Sequence, residues 1–216
     1  MIKCFKLALP FCAVSILLAC NDSVKAPAAT DKDSINKPGA DTAATSKPAA
    51  ANTQKPPIIN IIDTLAVAKT VLCMKDSAAS IERVGMKLGI IYGEKLGKCL
   101  ADNKMTMAGP PMAWYKTQKP PFFFEAGVPV SKKPGKLPAG VFVKEIPAGN
   151  VIIARFFGPY DKLGMAYETV AERLKASKTA TAAPPYEIYI GDPGVQKDPY
   201  KVQTDVVFPV KAPAQQ

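Results

Sequence analysis

The chain contains no histidine, a single tryptophan and only three arginines among its 216 residues. Without imidazole there is no His-based catalytic triad, no axial histidine for a haem and no imidazole ligand for a metal. Neither a cofactor nor a metal is expected. The three arginines (Arg83, Arg155, Arg173) are too few, and the lysines too scattered, for a nucleic-acid-reading surface, although the formal charge is +10. A solvated surface attracted to anionic headgroups or polysaccharide fits that charge better, and no nucleic-acid partner is expected. A long apolar run is missing too. The longest, Leu7–Leu18, is interrupted by Pro10 and Ser15 and falls short of the roughly 20 residues a membrane-spanning helix needs.

What is present at the N-terminus is a leader. Lys3 and Lys6 precede the apolar run, which ends in Leu17-Leu18-Ala19-Cys20. A charged start, an apolar middle and small residues at the end make a secretory signal over residues 1–19. The last four residues resemble the lipobox of bacterial lipoproteins, which implies that Cys20 becomes a lipidated N-terminus and anchors the chain to a membrane. Asn21, where the enteric sorting rule places Asp in inner-membrane lipoproteins, implies the outer membrane. Residues 20–57 then read as the lipidated cysteine and a tether of Ala, Thr, Ser, Lys, Asp and Pro, too poor in large apolar side chains to offset the entropy of ordering it. A flexible chain of that length spans roughly 30–40 Å. Residues 211–216 read as a loose tail. One domain remains, 58–210, with halves at about 58–130 and 139–210 on either side of a Lys-Pro-Gly linker.

That domain repeats itself. Pro110-Pro111-Met112-Ala113-Trp114-Tyr115 is echoed by Pro184-Pro185-Tyr186-Glu187-Ile188-Tyr189. Glu125-Ala126-Gly127-Val128-Pro129-Val130 is echoed by Asp205-Val206-Val207-Phe208-Pro209-Val210. A repeat of this kind means two copies of one module. The pattern predicts a strand over Asp63–Met74, a helix over Ser80–Asn103 capped from Ser77, and strands at Met112–Gln118 and Pro121–Val130. It further predicts a hairpin joining Ala139–Ile146 to Val151–Phe157, a second helix carrying Leu163, Ala166, Tyr167, Val170 and Leu174, and strands at Tyr186–Ile190 and Thr204–Val210. Gly85, Gly89, Gly93 and Gly97 recur every fourth residue along the first helix. Each costs about 1 kcal/mol relative to Ala, so the stripe implies close approach, either to this helix's own sheet or to a partner helix. Cys73 and Cys99 should lie too far apart for a disulfide.

The phrase Gly158-Pro159-Tyr160, a helix, Pro185-Tyr186-Glu187-Ile188-Tyr189 with Asp192-Pro193, and finally Thr204-Asp205-Val206-Val207-Phe208-Pro209-Val210 resembles the GyrI-like effector-binding domain. The resemblance implies an α+β fold. Two strand–helix–strand–strand modules stand in pseudo-twofold arrangement, in a curved antiparallel sheet with helices on one face and a ligand groove on the other. It also implies binding of a small hydrophobic or cationic compound between aromatic walls and a buried acid, at the position here held by Asp205.

Strand alternation sends Glu187, Tyr189, Asp205 and Val207 to one face and Ile188, Ile190, Val206 and Phe208 to the helix-covered one. The same logic in the first half places Tyr115 and Glu125 in the groove and turns Trp114 towards the helices. Tyr160, after its turn, would line the rim. The candidate ligand-binding residues are therefore Tyr115, Glu125, Tyr189, Asp205, Glu187, Trp114 and Tyr160. The tyrosines and acids could equally hold the two modules together. A Tyr/acid pair can move protons, so a small-molecule hydrolase is an alternative to binding alone. A structural envelope lipoprotein is another.

Overall fold

A computed structural model of the chain describes residues 55–212. The signal peptide, Cys20, nearly all of the tether and the end of the tail lie outside the described residues. The architecture is one eight-stranded antiparallel sheet in the order β1-β6-β8-β7-β3-β4-β2-β5. The strands are β1 (Ile58–Ala66), β2 (Lys69–Ala78), β3 (Met112–Tyr115), β4 (Phe122–Val130), β5 (Val141–Ile146), β6 (Gly149–Phe157), β7 (Tyr186–Tyr189) and β8 (Gln203–Pro209). The sheet is curved and not closed, and the fold class is the α+β arrangement expected from the repeat.

The order is itself symmetric. β6-β8-β7 from the second half meets β3-β4-β2 from the first at the β7–β3 seam, and one extra strand flanks each end. Those flanking strands are exchanged. β1 pairs with β6, and β5 pairs with β2. Each half therefore lends its leading strand to the other, which the sequence did not signal. The stretch expected as one strand over Asp63–Met74 is two, broken at Val67-Ala68 with neither Gly nor Pro to mark the break. The strands expected to form a hairpin, β5 and β6, follow one another without pairing.

The first helix runs from its cap at Ser80, whose hydroxyl accepts from the backbone N–H of Arg83, through α1 (Ile81–Ile90), a π-helical segment (Ile91–Leu96) and α2 (Gly97–Asp102). Ser77 is not the cap; it lies inside β2. The second helix is α3 (Gly164–Ala176). Val84, Ile91, Leu96 and Leu100 pack on Leu72, Phe124 and Val128, while Ala166, Val170 and Leu174 pack on Ala154, Phe156 and Phe208. Both helices thus cover the same face of the sheet. The opposite face is not bare. Val71, Cys73, Met112, Trp114, Val151, Tyr186 and Val207 form a third buried cluster there.

Two readings of the sequence change here. The glycine stripe does not mark close packing on the sheet, because a Cβ built at Gly85, Gly89 or Gly93 would meet nothing within 4 Å. Close approaches lie elsewhere, the tightest at Gly127 in β4, where a Cβ would fall 2.6 Å from Cys73 Sγ and 2.9 Å from the carbonyl oxygen of Leu72. Cys73 and Cys99 are both buried and free. They belong to clusters on opposite faces of the sheet, and burial pushes the Cys73 thiol up to about 12.

Candidate ligand-binding site

At the seam β3 and β7 are joined by two residue pairs only, Met112↔Ile188 and Ala113↔Glu187. Met112, Trp114, Tyr186 and Ile188 turn their side chains into the cluster away from the helices. Alternation then sends Ala113, Tyr115, Glu187 and Tyr189 to the helix side. Three more tyrosines converge on them. Tyr92 comes from the π-helical segment, Tyr160 from the turn after Gly158-Pro159 and Tyr167 from the first turn of α3. The rings of Tyr92 and Tyr160 each lie 6.3 Å from that of Tyr189. Five phenols drawn from both halves enclose one carboxyl group.

The hydrogen bonds give that enclosure a direction. Tyr189 Oη donates to Glu187 Oε2 at 2.7 Å, and Tyr167 Oη donates to Glu187 Oε1 at 2.8 Å. Tyr189 has a single proton, already committed to the carboxylate, so the 2.9 Å contact between the Tyr115 and Tyr189 hydroxyls is a donation by Tyr115. Tyr92 Oη donates to the carbonyl oxygen of Met112 at 2.8 Å, on β3. The rigid scaffold of the seam, and not a loop, therefore positions the acid and its partners.

Glu187 is 5% exposed, and among the described residues no Lys or Arg forms an ion pair with it. Burial pushes its carboxyl up to about 7, against the opposing pull of the Tyr189 and Tyr167 hydroxyls. The phenols are shifted upward as well. Burial is the main cause at Tyr92, Tyr115, Tyr160, Tyr167 and Tyr189, reinforced at each by the nearby Glu187 charge. Raised phenols are poor bases and poor nucleophiles at neutral pH. The same groups place one carboxyl in low-dielectric surroundings, beside the rings of five tyrosines.

Only part of the expected constellation meets here. Tyr115, Tyr189, Glu187 and Tyr160 do, on the helix side. Glu125, Asp205 and Trp114 are on the opposite face, where Trp114, Tyr115 and Glu125 line a concavity of about 570 Å³. Asp205 accepts from Arg155 through both oxygens, at 3.1 and 3.0 Å, and from Gln203 Nε2 at 3.0 Å. Glu125 lies 2.5 Å from Lys144 Nζ and 4.0 Å from Lys75 Nζ. Trp114 packs on Tyr186 with ring centres 5.5 Å apart.

The faces expected for β4 and β8 hold; those expected for β3 and β7 are reversed. Register shows it directly, since Asp205 pairs with Ile188 and Trp114 with Glu125. Directly opposed residues share a face. Two tyrosines of the site were missed. Tyr92 and Tyr167 do lie on the apolar stripes of their helices, and a phenol at the seam-facing end of such a stripe was the available signal.

These features define a small α+β ligand-binding domain, two modules closing on one buried acid. The family model of the GyrI-like small molecule binding domain matches residues 113–211. The C-terminal domain of EcmrR is similar in structure, with a TM-score of 0.64 and 19% identity over 72% of this chain and 99% of that one. EcmrR in its complex with DNA gives the same TM-score and identity, but 72% of this chain covers only 58% of that longer one. At this identity the likeness is one of fold. A hydrolase from Listeria innocua is a looser likeness, with a TM-score of 0.47 and 11% identity over 70% of this chain and 91% of that one. No curated protein matches the chain.

Proposed function

We propose that the tyrosine enclosure around Glu187 binds a small hydrophobic organic cation. One observation carries this reading: a carboxyl group buried among five phenols with, among the described residues, no cationic side chain paired to it. A buried acid left unpaired costs stability, and an arrangement that costs stability at a seam between modules is a functional-site candidate. A ligand's positive charge supplies the missing partner, and each ring face adds about 0.5–2 kcal/mol of cation–π attraction. In the free protein the rings fill the space against one another, so the ligand takes the place of packed phenols. The π-helical segment that carries Tyr92 is the element best able to yield, because its backbone hydrogen bonding already departs from the α pattern.

The test is the fluorescence anisotropy of rhodamine 6G titrated with the full chain at pH 8. Glu187→Gln, which keeps shape and loses charge, is expected to weaken binding by at least about tenfold, the loss of one buried charge-assisted contact. Unchanged affinity in the folded variant would overturn the assignment.

The leader supports a second part of this reading. Through Cys20 the domain is tethered by lipid to the cell envelope, at the outer membrane, with residues 20–57 as the spacer. Labelling cells with an alkyne-bearing palmitate tests it. Label on the wild type and none on Cys20→Ala is expected; equal labelling of both removes the anchor.

A further inference from the structure

Lys55, Pro56 and Pro57, the last residues of the segment read as a tether, are held by the domain. The carbonyl oxygen of Lys55 accepts from Tyr200 Oη and, at 3.4 Å, from Lys162 Nζ. The Lys55 ammonium stands 5.1 Å from the centre of the Tyr200 ring. Pro57 lies against Gly158, where an added Cβ would fall 2.8 Å from Pro57 Cβ. Two successive prolines fix two backbone angles in advance, so ordering this stretch costs little. Ile58 then enters β1 opposite Phe157. Residues 55–57 thus form a strap between two short 3₁₀ turns, Tyr160–Lys162 and Pro199–Lys201. The second turn is firmly rooted. Asp198 caps it, accepting from the Tyr200 N–H at 3.0 Å, and Val202 after it is buried.

The first turn carries Tyr160. Of the five phenols around Glu187 this one is held least. Tyr189, Tyr167, Tyr115 and Tyr92 each donate at 2.7 to 2.9 Å. Tyr115 and Tyr189 stand on strands, Tyr92 and Tyr167 within helices. Tyr160 stands on three residues of 3₁₀ turn, and among the described residues its hydroxyl meets only Thr204 Oγ1, at 3.5 Å. That distance is the outer limit of a hydrogen bond. Yet its ring holds an edge-on position 6.3 Å from Tyr189 and closes the enclosure on that side. Leu163, buried, pins the turn from within. From outside the strap pins it twice, through Gly158 before Tyr160 and through Lys162 after it.

We infer that the strap regulates the tyrosine enclosure: Lys55, Pro57 and Tyr200 are positioning residues that hold the Tyr160 wall, and so set how long a bound cation stays. This rests on the reading of the enclosure around Glu187 as the ligand site. The segment of Tyr92 yields to admit the ligand; Tyr160, braced from outside, retains it. Because the chain runs on from Lys55 into the tether, a pull that lifts Lys55 from Tyr200 frees the Tyr160 turn and speeds release. The coupling is reciprocal: a ligand that keeps Tyr160 seated also keeps the strap closed.

The experiment follows rhodamine 6G leaving the full chain by stopped-flow anisotropy at pH 8. Tyr200→Phe removes the bond to the Lys55 carbonyl and should speed release about threefold, as suits one neutral hydrogen bond. Tyr200→Ala also removes the ring beside the Lys55 ammonium and should speed release about tenfold. Association should change by less than about twofold, since the ligand enters past Tyr92. A merely structural role for Tyr200 would give the same factors without the Tyr160 ring. In a Tyr160→Ala background both factors should instead fall to about one. Amide hydrogen exchange over residues 160–163 should quicken about fivefold in Tyr200→Ala, with β8 protected as in the wild type. The inference is overturned by wild-type release from Tyr200→Ala, by equal factors with and without the Tyr160 ring, or by unchanged exchange over 160–163. Each of these leaves the enclosure reading standing if Glu187→Gln loses the dye. A wild type that binds no dye, or binds it no better than Glu187→Gln, removes the enclosure reading and this inference with it.

Discussion

The hydroxyls of Tyr115 and Tyr189 lie 2.9 Å apart although 74 residues separate them in the chain. They occupy equivalent places in the two copies of the repeat, each four residues after the second proline of a Pro-Pro pair, and they meet across the narrowest part of the sheet. The contact is asymmetric. Tyr189 donates a hydrogen bond to Glu187, Tyr115 donates one to Tyr189, and the equivalent of Glu187 in the first copy is Ala113. Ala113 pairs directly with Glu187. Duplication thus built a symmetric frame, and one half supplied the acid while the other left room for it.

Relayed donation makes the two phenols unequal. Tyr189→Phe leaves the buried carboxyl one donor short and should cost about 1–3 kcal/mol in urea unfolding at pH 8. Tyr115→Phe removes only a bond between neutral groups and should cost about 0.5–1.5 kcal/mol. The double variant should lose little beyond Tyr189→Phe, because Tyr115 has then already lost its acceptor. Additive losses would mean that Tyr115 donates elsewhere.

The raised carboxyl of Glu187 sets a pH dependence. Between its ordinary 4.5 and about 7, the folded protein holds a proton on Glu187 that the unfolded chain has released. The folded state binds more protons there, so stability falls as pH rises across that window. The full difference corresponds to roughly 3 kcal/mol. Glu187→Gln should remove this slope, leaving a variant more stable than the wild type at pH 8 and close to it below pH 5, by urea midpoints at each pH. Cation affinity should show the opposite trend in the wild type, rising with pH through 7 as the carboxylate forms. An identical slope in wild type and variant would place the titrating group elsewhere.

Much of this was legible in the chain, and the remainder fails for identifiable reasons. The repeat gave both modules and both helices, because helical spacing at Val84, Leu88, Leu96 and Leu100, and at Ala166, Val170 and Leu174, leaves no other face to bury. Of the residues singled out in the sequence, Glu187, Tyr115, Tyr189 and Tyr160 come together. Which side of the sheet they occupy was not readable. Alternation says which residues share a face, not which face is covered, and apolar content does not decide when both faces are buried. Met112, Trp114, Tyr186 and Ile188 look like a helix-facing set and are in fact the lining of the other side. Strand exchange was equally silent, because β1 and β6 come from different halves and no local pattern in the chain links them.

The glycines separate two kinds of position. At Gly85, Gly89 and Gly93 an added methyl meets only open space, and Ala in a helix is favoured by up to about 1 kcal/mol per site. The triple Ala variant should therefore unfold at higher urea and bind rhodamine 6G more slowly, if the segment carrying Tyr92 must yield to admit a ligand. Gly127→Ala should do the reverse to stability. Its methyl would press on Cys73 Sγ, Val71 Cγ1 at 2.7 Å and the backbone of Leu72, an overpacking cost of about 1–3 kcal/mol. Stopped-flow anisotropy and urea unfolding read the two effects separately. A triple variant that is stabilised but binds at the wild-type rate would place the moving part outside the first helix.

The last prediction concerns the acid that the resemblance had placed in the groove. Asp205 is 4% exposed, but its charge is met by the forked guanidinium of Arg155 and by Gln203 on the face away from the tyrosines. A bidentate pair of this kind is satisfied within the protein and has no charge left to offer a ligand. Asp205→Asn should cost about 1–3 kcal/mol of stability, since it strands a half-exposed arginine, and leave rhodamine 6G affinity at the wild-type level. Glu187→Gln should do the opposite at pH 8, with higher stability and lost affinity. Two carboxyl-to-amide changes, 18 positions apart in the chain and on opposite faces of one sheet, should therefore exchange phenotypes. If Asp205→Asn instead abolishes dye binding in a folded protein, the cation is bound on the back face and the phenols around Glu187 are only the clasp between the modules.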